Sequence, residues 1–217
     1  IVLFFMEEGA IKFELIFRKD KSIDISQINE LNRWRQILYH TRLIGKDGGT
    51  EYGNVSQRIV SSDTNKNKGS FIITGTKTGG LEKLSGEHYT IVEECYPKEN
   101  RVVANGSVEP SRESMTHGTL YDLDNKIRFV FHAHSPEIWN NAKKLRIPET
   151  RENVEYGTPE MAKEVERLFR KSDVSEIRIF SMGGHENGII SFGESADDAG
   201  FKMLDYLSKT RLMCRKY

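Results

Sequence analysis

Cysteine is scarce. Cys95 and Cys214 are the only two in 217 residues, too few for a disulfide framework, and the expectation is a reducing, cytoplasmic setting. Proline is scarce too, with five in all, and no Pro-rich stretch offers an interdomain linker. No internal repeat is present, so residues 1–217 read as a single domain, with residues 1–24 as an N-terminal extension and strand. Net charge is missing as well: 32 basic residues balance 32 acidic ones. A nucleic-acid partner recruited by overall charge is therefore not expected. No window approaches the ~18 apolar residues of a membrane-spanning helix, so no membrane partner is expected. Ile1 to Phe5 are apolar, but no basic segment precedes them and no small-residue cleavage site follows, so they are not read as a signal peptide.

What is present is a mixture of strand and helix periods. Ile11, Phe13, Leu15 and Phe17 alternate with Lys12, Glu14 and Arg18, which predicts a half-buried strand over 11–18. Over 24–44 the period changes: Ile28, Leu31, Trp34 and Leu38 recur at helical spacing, with Asp24 and Gln27 placed as a capping box. Arg33, Arg35 and Arg42 on this helix read as a solvated face. Short β-like runs follow at 54–60, 71–74, 90–96 and 101–104, separated by Gly- and Asn-rich turns, with a polar loop at 61–70. In the second half, 112–121 reads as helix and 127–134 as strand. Thr158-Pro159 reads as a helix start, 177–182 and 188–192 as strands, and Ser195 with Asp198 as the cap of a last helix. The mixture predicts a largely antiparallel sheet covered by helices.

The chemistry-bearing residues are histidines. His132 and His134 close the run IRFVFHAHS. Residues two apart on a strand share a face, so both imidazoles leave one side together with Arg128 and Val130. They are close enough to converge on one ion, at ~2.0–2.1 Å for zinc; the alternative is two partly buried histidines satisfied by hydrogen bonds. A cupin-type reading is poor, because Glu137 lies beyond Pro136, where the strand has ended. His185, in the glycine-rich FSMGGHENG, completes a three-histidine set that leaves a fourth position for substrate, the arrangement of a catalytic zinc. Glu113 is the fourth element. Ser111 can cap a helix beginning near Arg112, which places Glu113 in the first turn, as a dipole partner or a site carboxylate. His117 lies four residues on and reads as a packed histidine. Cys95 reads as a strand residue without an activating histidine nearby in sequence.

With these residues assembled, the chain resembles the class II aldolase/adducin superfamily, from about Asn32 to Lys209. The resemblance is carried, in order, by YGNVSQRI at 52–59, FIITGTKTG at 71–79, EPSRESMTH at 109–117, FHAHSP at 131–136, YGTPEMA at 156–162 and MGGHENGIISFG at 182–193. It implies a three-layer α/β/α fold with a mainly antiparallel central sheet, assembled as a homo-oligomer, with a tetramer favoured. It implies a metal-dependent carbon–carbon lyase acting on a small sugar phosphate or a hydroxy or keto acid, through a metal-stabilised enediolate. Epimerase or dehydratase chemistry, or a non-catalytic adducin-like interaction module, are the alternatives. By motif match, His132, His134 and His185 take the place of ligands to zinc or another divalent transition metal, and Glu113 that of the acid/base carboxylate. Asn54, Thr78, Gly79 and Ser111 match positions that hold the substrate phosphate. The chain departs from the pattern at Arg112, where the family often has a second serine and where a guanidinium could strengthen anion binding. It departs again where some family members carry a tyrosine proton donor: the matching position is Asn153, with Tyr156 close by.

Overall fold

The structure, a computed structural model, describes residues 12–60 and 69–214. Ile1–Phe5, Ile11, the 61–68 part of the polar loop and Tyr217 lie outside the described residues. In chain order the elements are β1 (Glu14–Lys19), α1 (Asn29–His40), β2 (Gly45–Asp47), β3 (Thr50–Tyr52), β4 (Asn54–Arg58), β5 (Phe71–Thr74), β6 (Tyr89–Tyr96), β7 (Arg101–Gly106), α2 (Ser114–Leu123), β8 (Phe129–His134), α3 (Pro136–Trp139), α4 (Pro159–Lys171), α5 (Val174–Ile177), β9 (Ile179–Ser181), β10 (Gly188–Gly193) and α6 (Ala196–Cys214).

Eight strands form one sheet in the order β1-β7-β6-β5-β4-β8-β10-β9, and β2 and β3 pair separately as a hairpin. Among the paired strands of the described residues, β1 and β7 run parallel and the other pairings of the large sheet are antiparallel. The two faces follow from strand alternation. One face sends Val55, Phe129, Phe131, Ala133 and Ile189 against Ile28, Leu31, Trp34 and Leu38 of the α1 segment and Met203 of α6. The other sends Phe71, Ile73, Val92, Val130, Ile190 and Phe192 against Met115 and Leu120 of α2 and Met161, Val165 and Leu168 of α4. This is the expected three-layer arrangement. Each fully buried large apolar side chain contributes roughly 1.5–3 kcal/mol, so the two half-cores hold β8, an interior strand of the sheet, from both sides.

The helix boundaries differ from the sequence expectation for local reasons. Asp24 caps a short 3-10 turn, accepting from the Ser26 N–H at 3.0 Å, and α1 begins only at Asn29. It stops at His40 because Arg42 turns left-handed (φ 62°) and the Leu43 and Arg42 N–H groups return to the carbonyls of Leu38 and Tyr39, a Schellman closure. Helix α2 starts two residues late, because the Ser111 carbonyl is taken by the N–H of Ser114 in a preceding turn, at 3.0 Å. The expected strand over 177–182 is shortened to β9 by the helical turn α5, which Arg178 ends with φ 58°. The remaining caps stand as expected. Thr158 accepts from the N–H of Met161 ahead of Pro159, and Ser195 and Asp198 exchange reciprocal bonds at 3.0 and 3.1 Å.

Arg35 overturns the solvated-face reading of α1. Arg33 and Arg42 are exposed, but Arg35 is 1% exposed. Its guanidinium donates to the carbonyls of Thr78, Gly79 and Glu82 at 2.8, 3.0 and 2.9 Å. A helical arginine is read as solvated unless its acceptors are known, and backbone carbonyls of a distant loop leave no mark in sequence.

Candidate metal centre

Strand β8 lies between β4 and β10, with His132 opposite Asn54 on one side and Ile190 on the other, and His134 opposite Gly188. His185 sits in the turn between β9 and β10. Its N–H donates to the Met182 carbonyl at 3.1 Å and its carbonyl accepts from the N–H of Gly188 at 2.9 Å. That turn lies flat against residues 150–154: a side-chain carbon at Gly183 or Gly184 would strike the carbonyl of Thr150 or Val154. Glycine is thus required where the chain delivers His185.

The turn brings the three imidazoles together. One ring nitrogen of each lies within 4.8 Å of the others, and the His134 and His185 Nε2 atoms are 2.9 Å apart. The rings are walled by aromatics, with Tyr52 stacked on His134 at 5.1 Å and Tyr156 against His185 at 4.2 Å between centroids. Burial dominates the electrostatics. It holds His132 well below the usual imidazole range, with the neighbouring histidines adding to the effect, and brings His134 to about 4 and His185 to about 3. All three are neutral at neutral pH and present lone pairs, as a metal requires.

Glu113 lines the same cavity, of about 90 Å³. It is 3% exposed. One carboxyl oxygen accepts from the Thr116 hydroxyl at 2.8 Å, and the other is buried without a hydrogen-bond partner among the described residues. Burial pushes its pKa up to about 7, against smaller lowering effects of Thr116 and Lys12. His117 is a packed histidine, as expected: its Nδ1 meets the Ser56 hydroxyl at 2.7 Å, and Ser56 in turn meets the Tyr121 hydroxyl. Cys95 is a strand residue whose thiol burial pushes up to about 12.

The other sequence-selected residues also converge. Asn54, Thr78, Gly79, Ser111 and Arg112 all line the cavity with the histidines and Glu113. The Thr78 hydroxyl donates to the Gly75 carbonyl at 2.8 Å, the Ser111 hydroxyl accepts weakly from the Glu113 N–H at 3.4 Å, and the Arg112 Nε is buried without a hydrogen-bond partner among the described residues. Asn54 is turned toward the metal ligands, with its amide 3.1 Å from His132 Nδ1. With the amide nitrogen on that side, Asn54 Oδ1 and His132 Nε2 are both buried without a hydrogen-bond partner among the described residues. Turning the amide over lets Oδ1 accept from Nδ1–H and leaves the Nε2 lone pair for an ion, the usual second partner of a metal-bound histidine. The donor set therefore fits a divalent transition metal: three neutral imidazoles, one unsatisfied, with an unsatisfied carboxyl oxygen in the same cavity. Sequence reasoning missed Tyr52 and Lys77, which also line the cavity. Tyr52 had a signal in its place beside Gly53-Asn54, but an aromatic there reads equally as core.

Comparison with known proteins agrees with this fold. The model of the Class II Aldolase and Adducin N-terminal domain matches residues 35–210. Among solved structures, an L-fuculose-1-phosphate aldolase from Thermus thermophilus superposes with a TM-score of 0.61 at 18% identity, covering 86% of this chain and 92% of that one. A sugar-phosphate aldolase from Thermotoga maritima gives 0.65 at 15% identity, covering 88% and 94%. The N-terminal class II aldolase domain of a conserved protein from Thermoplasma acidophilum gives 0.60 at 16%, covering 90% and 97%. At these identities the likeness is one of fold. No curated protein matches the sequence.

Proposed function

We propose, from the premise that the chain belongs to the class II aldolase and adducin family, that it is a metal-dependent carbon–carbon lyase. Its substrate is a small sugar phosphate or a hydroxy or keto acid. The observation that carries this reading is the meeting of His132, His134 and His185 with the buried, half-satisfied carboxyl of Glu113 on one cavity. A non-catalytic scaffold has no physical need to bury those unsatisfied groups together.

His132, His134 and His185 would hold the ion, with zinc preferred because three imidazoles suit it. When bound, such an ion supplies a Lewis acid, worth several kcal/mol to negative charge developing on a substrate oxygen. Glu113 carries the proton to or from the reacting carbon. A carboxyl raised to about 7 by burial is matched to giving and taking a proton near neutrality. Thr78, Gly79 and Ser111 hold the anionic end of the substrate through backbone N–H groups and short polar contacts, and Arg112 supplies countercharge. Asn54 orients His132. Tyr52 and Tyr156 exclude water from the rings they cover. The assembly expected with this reading is a homotetramer, which mass photometry measures directly.

Epimerase and dehydratase chemistry would use the same residues, so product analysis over a panel of sugar phosphates and hydroxy acids assigns the reaction. Glu113→Gln tests the mechanism. Metal content should persist while turnover falls by ~100-fold or more, the low end for acid–base catalysis. Unchanged turnover removes Glu113 from the chemistry.

A further inference from the structure

The buried cation on α1 is not used by the chemistry above. Arg35 is 1% exposed and makes no ion pair among the described residues; it donates to backbone carbonyls and lies over the face of Tyr39, at 5.0 Å, with the Glu51 carboxylate and Tyr89 near enough to act on it electrostatically. A guanidinium stays charged in proteins, and burying it without a carboxylate in hydrogen-bond contact is costly. Three carbonyls offset part of that cost, and they belong to one loop, the 78–82 stretch whose first two residues line the cavity.

Peptide planarity gives this contact a consequence. In a trans peptide the C=O and N–H point in opposite directions. The Thr78 and Gly79 carbonyls are drawn to Arg35, so the N–H groups of Gly79 and Gly80 are turned away from it. Arg35 does not reach the cavity; Thr78 and Gly79 do. The loop is fixed from its other flank as well: a side-chain carbon at Gly79 would lie 2.7 Å from the Tyr52 carbonyl and 2.8 Å from that of Gly45. The turn is thus pinned between a guanidinium and the β2–β3 hairpin, and a permanent positive charge stands behind it.

We propose that Arg35 is a positioning residue for an anionic substrate group, holding the Thr78–Gly80 turn with its N–H groups outward and supplying the buried countercharge. The proposal rests on the reading of that turn as the seat of the substrate's anion, and it is independent of which bond the enzyme breaks.

The test uses inorganic phosphate as the probe and the zinc-loaded full chain, with calorimetry on wild type, Arg35→Met and Arg35→Lys. Loss of charge-assisted hydrogen bonds should weaken phosphate binding roughly tenfold or more in Arg35→Met. Arg35→Lys, with one ammonium in place of a fork, should fall between. Zinc affinity should stay within about twofold of wild type, because the ligands sit on β8 and the 182–188 turn; a general loss of structure would lower both. In turnover, KM for a phosphorylated substrate should rise more than kcat falls. A folded Arg35→Met with wild-type phosphate affinity overturns the positioning role and leaves the lyase reading standing. If Arg35→Met does not fold, Arg35→Lys decides by the same criterion. A wild-type protein that binds no phosphate overturns the anion seat and Arg35's role with it. Phosphate binding lost on substitution in a protein that cleaves no aldol supports Arg35 and defeats the lyase reading alone.

Discussion

Burial gives Glu113 a consequence that stability measurements can read. Its ordinary pKa of 4.5 is raised to about 7 in the fold, so the folded state keeps a proton that the unfolded state releases between those values. Stability from this group is present in full below pH 4.5 and is lost as pH rises through about 7. Glu113→Gln removes that loss. In metal-free protein, the melting temperature of the Gln variant minus that of wild type should therefore grow as pH rises from 4.5 to 7. The buried histidines act in the opposite sense, since depressed imidazoles cost stability as pH falls below about 6.5, but they are common to both proteins and cancel. A difference that is flat with pH would mean that Glu113 is not held protonated. At this scale the sequence reads well where a local period encodes geometry: His132 and His134 share a face because strands repeat every two residues. It reads poorly where the partner is backbone. Arg35 has the composition of a surface residue, and its carbonyl acceptors, more than 40 positions away, are not written in side chains. Asn54 is intermediate: its motif marks it for the site, and only strand pairing reveals that its neighbour is His132.

Elements decide whether the third histidine arrives. The turn between β9 and β10 has no regular structure to hold His185, and its position depends on the Gly183-Gly184 backbone lying against residues 150–154. Gly184→Ala places a methyl group against the Val154 carbonyl, a backbone atom that cannot rotate away. The turn must move, at an overpacking cost of ~1–3 kcal/mol. Zinc affinity should fall by roughly tenfold or more, while phosphate affinity at the Thr78–Gly80 turn is kept. Calorimetry with each ligand checks the pair, and wild-type zinc affinity in Gly184→Ala would show that the turn does not need this approach. Element type was legible from capping chemistry, as at Thr158-Pro159 and Ser195…Asp198, because those signals act within one turn. Element ends were not, because left-handed residues such as Arg42 and Arg178 stop helices without the glycine that usually announces it.

Across the whole molecule, the two half-cores matter because they fix β8 in the interior of the sheet, with both neighbouring strands paired to it. The layered architecture followed from alternating periods, and the parallel pairing of β1 with β7 at the sheet edge did not, since strand order is set by contacts distant in sequence. Everything proposed for function converges on one claim, that this scaffold grips a single divalent ion with the rings it gathers. X-ray absorption at the zinc edge, on protein loaded with one zinc per chain, reads the ligands directly. Three imidazole nitrogens at ~2.0–2.1 Å, with a light-atom ligand completing the shell, are the expected spectrum. Fewer than three imidazoles, or no stoichiometric zinc at all, would contradict it.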